Sequence, residues 1–181
     1  EFLAQHALSL EQADAVATAL LSGVGAAHAR GLVHRDLKPG NVMMDLASGT
    51  IVPKVADFGL AKVIEGNPRQ RALQTRTGVP MGTPAYMSPE QIRDAKNVDA
   101  RTDVFALGAI LYQLVTRRRA FDQRDILELF AAIGSGNFEP PRKLRPDIPD
   151  SMERAILGAL KPERNERIAD CPTLLRVWRG L

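Results

Sequence analysis

The segment that most constrains the fold runs from Asp103 to Val115, where apolar residues cover most of the surface of a predicted helix. No apolar run in the chain approaches the ~18 residues that a membrane-spanning helix requires. A helix that is apolar on most sides is stable in water only when other elements cover it. We therefore expect this helix to form the centre of a globular core. Its apolar positions include Val104, Leu107, Ile110, Leu111 and Leu114.

The composition of the 181 residues is that of an ordinary globular domain, or of a large part of one. Hydrophobic residues make up 45% and charged residues 25%, and the net charge is only +3. The cluster Arg117–Arg119 is typical of a solvated helix end, so we predict no nucleic-acid binding. The single cysteine, Cys171, cannot form an internal disulfide, which favours a cytoplasmic location. Because the chain begins at Glu1 rather than Met, in a predicted helix, we expect an excised fragment or a processed chain.

Helical periodicity and turn signals predict an α+β fold that is mainly α-helical. Ser9 and Gln12 form a capping-box pattern at the start of the first long helix, and Gly31 is placed to end it. Two short β-like runs, 41–45 and 51–56, flank a turn sequence and predict a hairpin. Residues 65–84 show little periodicity and predict a long surface loop. Further helices are predicted at 103–115, 125–133, 151–160 and 173–180, with a Pro-rich connector from 140 to 149.

The sequence His34-Arg35-Asp36-Leu37-Lys38-Pro39-Gly40-Asn41 lies between the first helix and the first strand. Phosphoryl transfer requires an acceptor for the hydroxyl proton, a cation at the phosphates and oxygen ligands for a metal. Asp36 is suited to deprotonate the hydroxyl, Lys38 to neutralise the transferred phosphoryl group, and Asn41 to hold a metal. One tight loop therefore carries three predicted catalytic residues, although each alone would be interpreted as a surface polar residue.

Two further segments follow this motif in a fixed order. Asp57-Phe58-Gly59 comes directly after the second predicted strand, and Gly82-Thr83-Pro84-Ala85-Tyr86-Met87-Ser88-Pro89-Glu90 closes the long loop. Together with Asp103-Val104-Phe105-Ala106-Leu107-Gly108, they resemble the eukaryotic-type (Hanks-type) serine/threonine protein kinases, and most of all the bacterial members. The resemblance extends over residues 1–181 and covers the C-terminal lobe of a kinase domain only.

The resemblance implies ATP and Mg²⁺ (or Mn²⁺) as cofactors and Ser/Thr hydroxyls of a protein substrate as acceptors. Lys38, Asn41 and Asp57 would bind the cofactors, with Asn41 and Asp57 as metal ligands. Thr83 resembles the threonine that contacts Asp36 and Lys38 when substrate is docked. The lysine and the Gly-Thr pair that ends at Thr83 favour serine/threonine over tyrosine as the acceptor.

The resemblance also implies residues that support the site. Glu90 and Arg167 resemble the buried ion pair that fastens the end of the activation segment to the helical lobe. Asp103 resembles the carboxylate that anchors the backbone of the turn beginning at His34. His34 itself and Phe58 resemble packing members of a hydrophobic spine, so we expect both to be structural.

Regulation is expected to act through Arg35, which precedes the predicted catalytic aspartate. Kinases of this type are switched on when a phosphate in the activation loop pairs with this arginine and orders the loop. Thr75 and Thr77 lie where bacterial relatives often carry a Thr-x-Thr pair, and we expect at least one to be phosphorylated. The alternative, two ordinary polar residues in a loop, stays open. A homodimer that autophosphorylates in trans is compatible with this expectation.

The sequence departs from the family before His34. A Gly-rich loop, a strand lysine and a helix glutamate are not present among the 33 preceding residues. We therefore expect the full domain to transfer phosphate and this polypeptide alone to have little or no activity, because positioning of ATP provides most of the catalysis. The alternative function is a docking scaffold or regulatory module made only of this lobe.

Overall fold

The regular structure follows the sequence pattern closely over residues 8–45, 51–57 and 84–181, the part of the chain that the computed structural model describes. Within this part, no helix is both long and apolar enough to cross a membrane. The elements are helices α1 (Leu10–His28), α2 (Pro89–Arg93), α3 (Arg101–Thr116), α4 (Ile126–Ser135), α5 (Pro141–Leu144), α6 (Asp150–Ala159) and α7 (Cys171–Trp178), with strands β1 (Val42–Asp45) and β2 (Val52–Val55).

Helix α1 begins with the predicted capping box. The Gln12 amide donates to Ser9 Oγ (3.1 Å), and the Ser9 amide donates to Gln12 Oε1 (3.0 Å), so two free amides at the helix start are satisfied. The helix ends at His28, and Gly31 adopts a φ of +75°, a left-handed conformation that suits glycine. The chain then turns toward the predicted catalytic loop. The face of α1 toward the core is formed by Ala13, Val16, Ala17, Leu20, Leu21 and Val24.

Helix α3 lies in the centre of the core, as its apolar surface predicts. Most of its residues are buried, and α1 and α6 pack against it. Gly108 lets α6 approach closely, because a Cβ at this position would lie 2.7 Å from the Cβ of Ala159. The helix ends at Thr116, and Arg117 follows in a left-handed conformation with a φ of 61°.

Strands β1 and β2 form the predicted antiparallel hairpin beside α1. Their register pairs Val42 with Val55 and Asp45 with Val52, and the turn between them lies outside the described residues. One more backbone hydrogen bond, from the Ala56 amide to the Asn41 carbonyl (2.9 Å), extends the pairing past both strands. The hairpin thereby joins the end of the catalytic motif to the residue before Asp57.

Several predicted boundaries are corrected by the structure. The Pro-rich connector contains the one-turn helix α5, because Pro141 occupies the first turn, where its missing N–H costs nothing. Asp125 caps α4 rather than belonging to it, since its carboxylate accepts from the amides of Leu127 (2.9 Å) and Glu128 (3.0 Å). Helix α7 begins at Cys171, two residues earlier than predicted. The predicted loop over 65–84 lies almost entirely outside the described residues.

Candidate active site

The structure brings the three predicted catalytic residues together in one loop after α1. Lys38 Nζ lies 2.9 Å from Asp36 Oδ2, and both side chains remain partly exposed. Asn41 closes the loop, because its Nδ2 donates to the Asp36 carbonyl (2.8 Å) and lies 3.4 Å from Asp36 Oδ2. The short 3₁₀ turn Pro39–Asn41 places the asparagine there. The Asp36 carboxylate is thus held by a cation and an amide while it stays open to solvent.

His34 connects this loop to the hairpin. Its Nε2 lies 2.9 Å from the Ala56 carbonyl, which can only accept, so Nε2 carries the proton. The other ring nitrogen, Nδ1, then accepts from the Asp36 amide at 3.2 Å. His34 is buried, with 1% of its surface exposed. The histidine therefore fixes the backbone of the predicted catalytic aspartate relative to the strand that leads to Asp57.

Asn41 and Asp57 are suited to hold a magnesium ion. Asn41 uses its amide nitrogen toward Asp36, and within the described part of the chain its Oδ1 accepts no hydrogen bond. Asp57 follows Ala56, whose amide is bonded to Asn41, and a φ of 60° turns its backbone sharply. Carboxylate and amide oxygens are ligands that Mg²⁺ accepts together with phosphate oxygens and water. Over the described ranges, no three His, Cys, Asp or Glu side chains form a metal cluster.

Asp103, at the start of α3, holds the turn before Asp36. Its Oδ2 accepts from the His34 amide and its Oδ1 from the Arg35 amide, each at 2.7 Å. Arg35 has a φ of 65°, a left-handed conformation that costs about 1–2 kcal/mol for a residue other than glycine. The carboxylate is completely buried, so these hydrogen bonds are strong. Asp103 thus stabilises a backbone conformation that the loop sequence would not adopt by itself.

His28, at the end of α1, is a third partner of the same carboxylate. Its Nε2 donates to Asp103 Oδ2 (2.8 Å), and Cys171 Sγ lies 3.7 Å from its Nδ1. Burial raises the pKa of the Cys171 thiol to about 12, and the charges of Asp103 and Asp170 add to this rise. The thiol is therefore protonated and inert as a nucleophile. No local sequence pattern indicates this contact of His28, since its partner is 75 residues away.

Gln91 is a second residue that sequence reasoning missed. Its Nε2 donates to the Arg35 carbonyl (2.7 Å), so α2 holds the same turn from the other side. Gln91 also completes a capping box with Ser88, because its Oε1 accepts from the Ser88 amide (3.1 Å). The pattern of a serine followed three residues later by glutamine, with Pro89 at the first helical position, was a signal for this helix start. The contact with Arg35 had no such signal.

Glu90 and Arg167 form a buried, bidentate ion pair. Arg167 Nη1 lies 2.6 Å from Glu90 Oε1 and Nη2 lies 2.9 Å from Oε2. Burial alone would raise the pKa of Glu90, but the hydrogen bonds and charge of Arg167 outweigh it, and the pKa lies below its ordinary value. The guanidinium, with no exposed surface, also donates to the carbonyls of Arg101, Lys161 and Pro162. The pair fastens α2 to the segment before α7.

Four of the predicted residues have no structural outcome. Thr75, Thr77, Thr83 and Phe58 lie outside the described residues. Their regulatory, substrate-positioning and packing roles therefore stay predictions. The same holds for phosphate binding by Arg35, whose backbone lies in the strained turn.

A family model described as the protein kinase domain matches residues 1–177. The chain belongs to the protein kinase domain family. The serine/threonine-protein kinase RqkA of Deinococcus radiodurans, named as DNA damage-responsive, is 39% identical over 155 residues. That match covers 83% of this chain and 21% of the relative. PknL of Mycobacterium tuberculosis, named a serine/threonine-protein kinase, is 36% identical over 159 residues, or 88% of this chain and 34% of the relative.

Another relative has a different printed name. MasK of Myxococcus xanthus, named a tyrosine-protein kinase, is 43% identical over 134 residues, which cover 73% of this chain and 19% of MasK. The chain thus spans between about a fifth and a third of the length of these curated relatives. The names of these relatives therefore do not decide whether the acceptor hydroxyl belongs to serine, threonine or tyrosine.

A solved structure confirms the fold. The crystal structure of Rad53 1–466 in complex with AMP-PNP superimposes with a TM-score of 0.72. The match covers 96% of this chain and 41% of the other, at 24% sequence identity. The predicted α+β architecture, mainly helical with one short hairpin, is therefore that of a protein kinase.

Proposed function

We propose that this chain is the catalytic lobe of a serine/threonine protein kinase that transfers the γ-phosphoryl group of ATP to protein hydroxyls. The observation that carries the proposal is the joint position of Asp36, Lys38 and Asn41 in one braced loop. A binding module needs no such set, whereas phosphoryl transfer needs a proton acceptor, a cation and a metal ligand in reach of one another.

Each side chain has a defined task in this proposal. Asp36 orients the acceptor hydroxyl and takes up its proton, for which its exposed carboxylate is accessible. Lys38, 2.9 Å away, places positive charge where the transferred phosphoryl group gains negative charge. Asn41 and Asp57 would hold Mg²⁺, which would neutralise charge on the phosphates. The hydrogen bonds that the His34 ring makes to the backbone hold these groups in position relative to one another.

A serine or threonine acceptor is favoured over tyrosine by Lys38, which lies beside Asp36. The relatives RqkA and PknL carry serine/threonine kinase names, in agreement with this assignment. The name of MasK makes tyrosine the alternative acceptor. Analysis of the phosphorylated amino acid in a reacted substrate separates the two.

ATP binding is proposed to require groups beyond those in this chain. The sequence contains no Gly-rich loop and strand lysine before His34, and these groups hold the α- and β-phosphates in the family. The 181 residues alone are therefore expected to transfer phosphate only at background level. Activity of the isolated chain near that of the full-length protein would contradict this part of the proposal.

Activation is proposed to depend on phosphate at Thr75 or Thr77, which would pair with Arg35. The same turn is held by Asp103 and Gln91, so a phosphate there would act on the backbone of the catalytic loop. Replacing both threonines with alanine in the full-length protein should lower activity and abolish loop phosphate. Unchanged activity without loop phosphate would exclude this mode of regulation.

The central test is the substitution Asp36→Asn in the full-length protein. It keeps the size of the side chain but removes the proton acceptor, so kcat for peptide phosphorylation should fall by about 10²–10⁴-fold. Asp147→Asn, in an exposed pair with Arg145, is the matched control and should leave kcat unchanged. Equal activity of the two variants would contradict the assignment of Asp36.

A further inference from the structure

The two ends of the Gln91 side-chain amide contact different parts of the molecule. Its Oε1 accepts from the Ser88 amide (3.1 Å) and lies 3.4 Å from Ser88 Oγ, which completes the capping box of α2. Its Nε2 donates to the Arg35 carbonyl at 2.7 Å. Because a backbone amide only donates and a carbonyl only accepts, the orientation of the Gln91 amide is unique. Capping uses the oxygen, and the nitrogen holds the turn before Asp36.

The peptide group between Arg35 and Asp36 is held at both ends. Its carbonyl accepts from Gln91 Nε2, and its amide donates to His34 Nδ1 at 3.2 Å. The peptide group is planar, so these two bonds together fix its rotation. Arg35 has a φ of 65°, a conformation that persists only where the surrounding contacts determine it. Since the Cα of Asp36 belongs to the same plane, Gln91 helps to set the point from which the predicted catalytic carboxylate extends.

The contact of Gln91 with the turn is the end of a buried polar chain that begins on α3. Thr102 Oγ1, in the first turn of α3, lies 2.6 Å from Ser88 Oγ, and the Ser88 hydroxyl donates to Gln91 Oε1. All three side chains are buried, with 1%, 0% and 7% of the surface of Thr102, Ser88 and Gln91 exposed. A buried polar group that loses its partner costs free energy, so each member holds the next in one geometry.

Helix α3 thus holds the turn by two routes, and only one of them passes through α2. Asp103 accepts directly from the amides of the turn, whereas Thr102 acts through Ser88 and Gln91. Gln91 follows Glu90, which is fastened by its bidentate pair with Arg167. Displacement of α2 would therefore withdraw the donor from the Arg35 carbonyl while the bonds of Asp103 stay in place.

We propose that Gln91 is a positioning residue that makes the orientation of Asp36 depend on the position of α2. With α2 in place, Gln91 holds the peptide group before Asp36 in the orientation that the structure shows. With α2 displaced, this peptide group is able to rotate, and the carboxylate leaves the position from which it takes up the proton. The inference rests on the proposed kinase function and adds a means of regulating it.

The alternative is that Gln91 only caps α2. A capping box accepts glutamate as well as glutamine at this position, because it uses only the side-chain oxygen. Gln91→Glu therefore keeps the cap and places a carboxylate oxygen, in place of the N–H donor, against the Arg35 carbonyl. In the full-length protein at about pH 8, kcat for peptide phosphorylation should fall roughly tenfold, with a smaller change in KM for ATP.

Gln12→Glu is the matched control, since Gln12 has the same position in the capping box of α1. Its Oε1 accepts from the Ser9 amide at 3.0 Å, and its side chain is exposed. This variant should leave kcat unchanged. Equal kcat in Gln91→Glu and Gln12→Glu would show that Gln91 only caps, and would overturn the inference.

The pH profile separates loss of the donor from misfolding. A protonated carboxyl group carries an O–H that donates to the Arg35 carbonyl. In the crevice that Gln91 lines, burial and the carboxylates of Asp36 and Asp103 favour this protonated form, and Arg35 favours the ionised form. The ratio of kcat in Gln91→Glu to kcat in the wild type should therefore rise as the pH is lowered from about 8 to about 6. Gln91→Met, which has neither donor nor titratable group, should keep a constant low ratio. A ratio for Gln91→Glu that does not change with pH would contradict the inference.

Hydrogen exchange at the Asp36 amide tests the inference without catalysis. This amide donates to His34 Nδ1, and the bond requires the same orientation of the peptide group. Gln91→Met in the full-length protein should accelerate its exchange about tenfold while amides within α1 stay protected. An unchanged rate rejects the role of Gln91 even if the protein phosphorylates peptides. A faster rate supports that role even if no peptide is phosphorylated.

The dependence on α2 is tested by a second substitution. Glu90→Gln weakens the attachment of α2 to Arg167 and leaves the loop sequence unchanged. It should accelerate exchange at the Asp36 amide in the otherwise wild-type protein and have no further effect in Gln91→Met, because both changes remove the same donor. Additive effects of the two substitutions would show that α2 acts on the loop by another path, and would overturn the inference.

Discussion

Two groups of side chains differ sharply in burial: Asp36 and Lys38 in the predicted catalytic loop, and the buried residues Asp103 and Arg167, which form a frame around it. The side chains of Asp36 and Lys38 are 36% and 26% exposed, whereas those of Asp103 and Arg167 are 1% and 0% exposed. In the proposed function the loop stays open to nucleotide and substrate, so it cannot be stabilised by its own burial. Its geometry is fixed instead by buried charges, because Asp103 accepts from its backbone amides and Arg167 holds α2, whose Gln91 donates to the Arg35 carbonyl. The proposed chemistry and the rigidity of the site are therefore provided by different residues.

The frame also uses its charges differently from surface ion pairs. Asp103 accepts from two amides and one histidine, and Arg167 donates to a carboxylate and to three carbonyls. Because desolvation offsets much of the attraction, such groups contribute position more than stability. Removal of one partner is nevertheless costly, since it leaves the other charge buried and alone.

The largest effect on stability is expected from Glu90→Ala, which leaves the Arg167 guanidinium buried without its carboxylate. Unfolding in urea should show a loss of about 3–5 kcal/mol. Asp147→Ala, which breaks the exposed pair with Arg145, should cost less than about 1 kcal/mol. Similar losses of unfolding free energy in the two variants would contradict the claim that the buried ion pair matters more than the exposed one.

A smaller effect, on activity, is expected from His28. In His28→Leu the Asp103 carboxylate loses one of its donors, so the turn at Arg35 loosens and kcat should fall about tenfold with a smaller change in KM. His28→Gln retains an N–H donor and should recover most of kcat. Steady-state kinetics of the full-length protein provide the measurement. Equal loss in both variants would show that packing, and not the hydrogen bond, is what matters.

The fold was largely predictable from the sequence because its signals are local. The capping box at Ser9, the all-round apolar surface of α3 and the β-like runs that flank a turn sequence each specify an element without tertiary information. Helix α5 was missed because prolines predict irregular structure more often than a single helical turn. Boundaries at Cys171 were wrong by two residues, as helix ends depend on the capping residue.

The residues proposed to be catalytic, and the supports Asp103, Glu90 and Arg167, were indicated by the sequence, whereas the supports His28 and Gln91 were not. Asp36, Lys38 and Asn41 lie within six residues, so one motif indicates them together. The partnership of His28 with Asp103 and that of Gln91 with Arg35 connect residues 75 and 56 positions apart. A local sequence pattern does not indicate contacts between residues so far apart in the chain. These contacts follow from the packing of α1, α2 and α3 around the loop.

The smallest effect is the pH dependence of the frame. The pKa of Glu90 lies below its ordinary value of 4.5, so its contribution to stability is complete above pH 4.5 and is lost as the pH falls through the lower, folded value. Glu90→Gln cannot titrate. The difference in unfolding free energy between wild type and this variant should therefore shrink below pH 4.5. Asp94 and Asp99, whose pKa values are also lowered, are common to both proteins and cancel.

The most direct test of the account is hydrogen exchange at the amides of His34 and Arg35. Both donate to the buried Asp103 carboxylate at 2.7 Å, so both should exchange slowly in the wild type. Asp103→Asn, which loses the charge and one acceptor oxygen, should accelerate exchange at these two amides while amides within α1 stay protected. Fast exchange in the wild type, or no change in the variant, would contradict the claim that a buried carboxylate holds the catalytic loop.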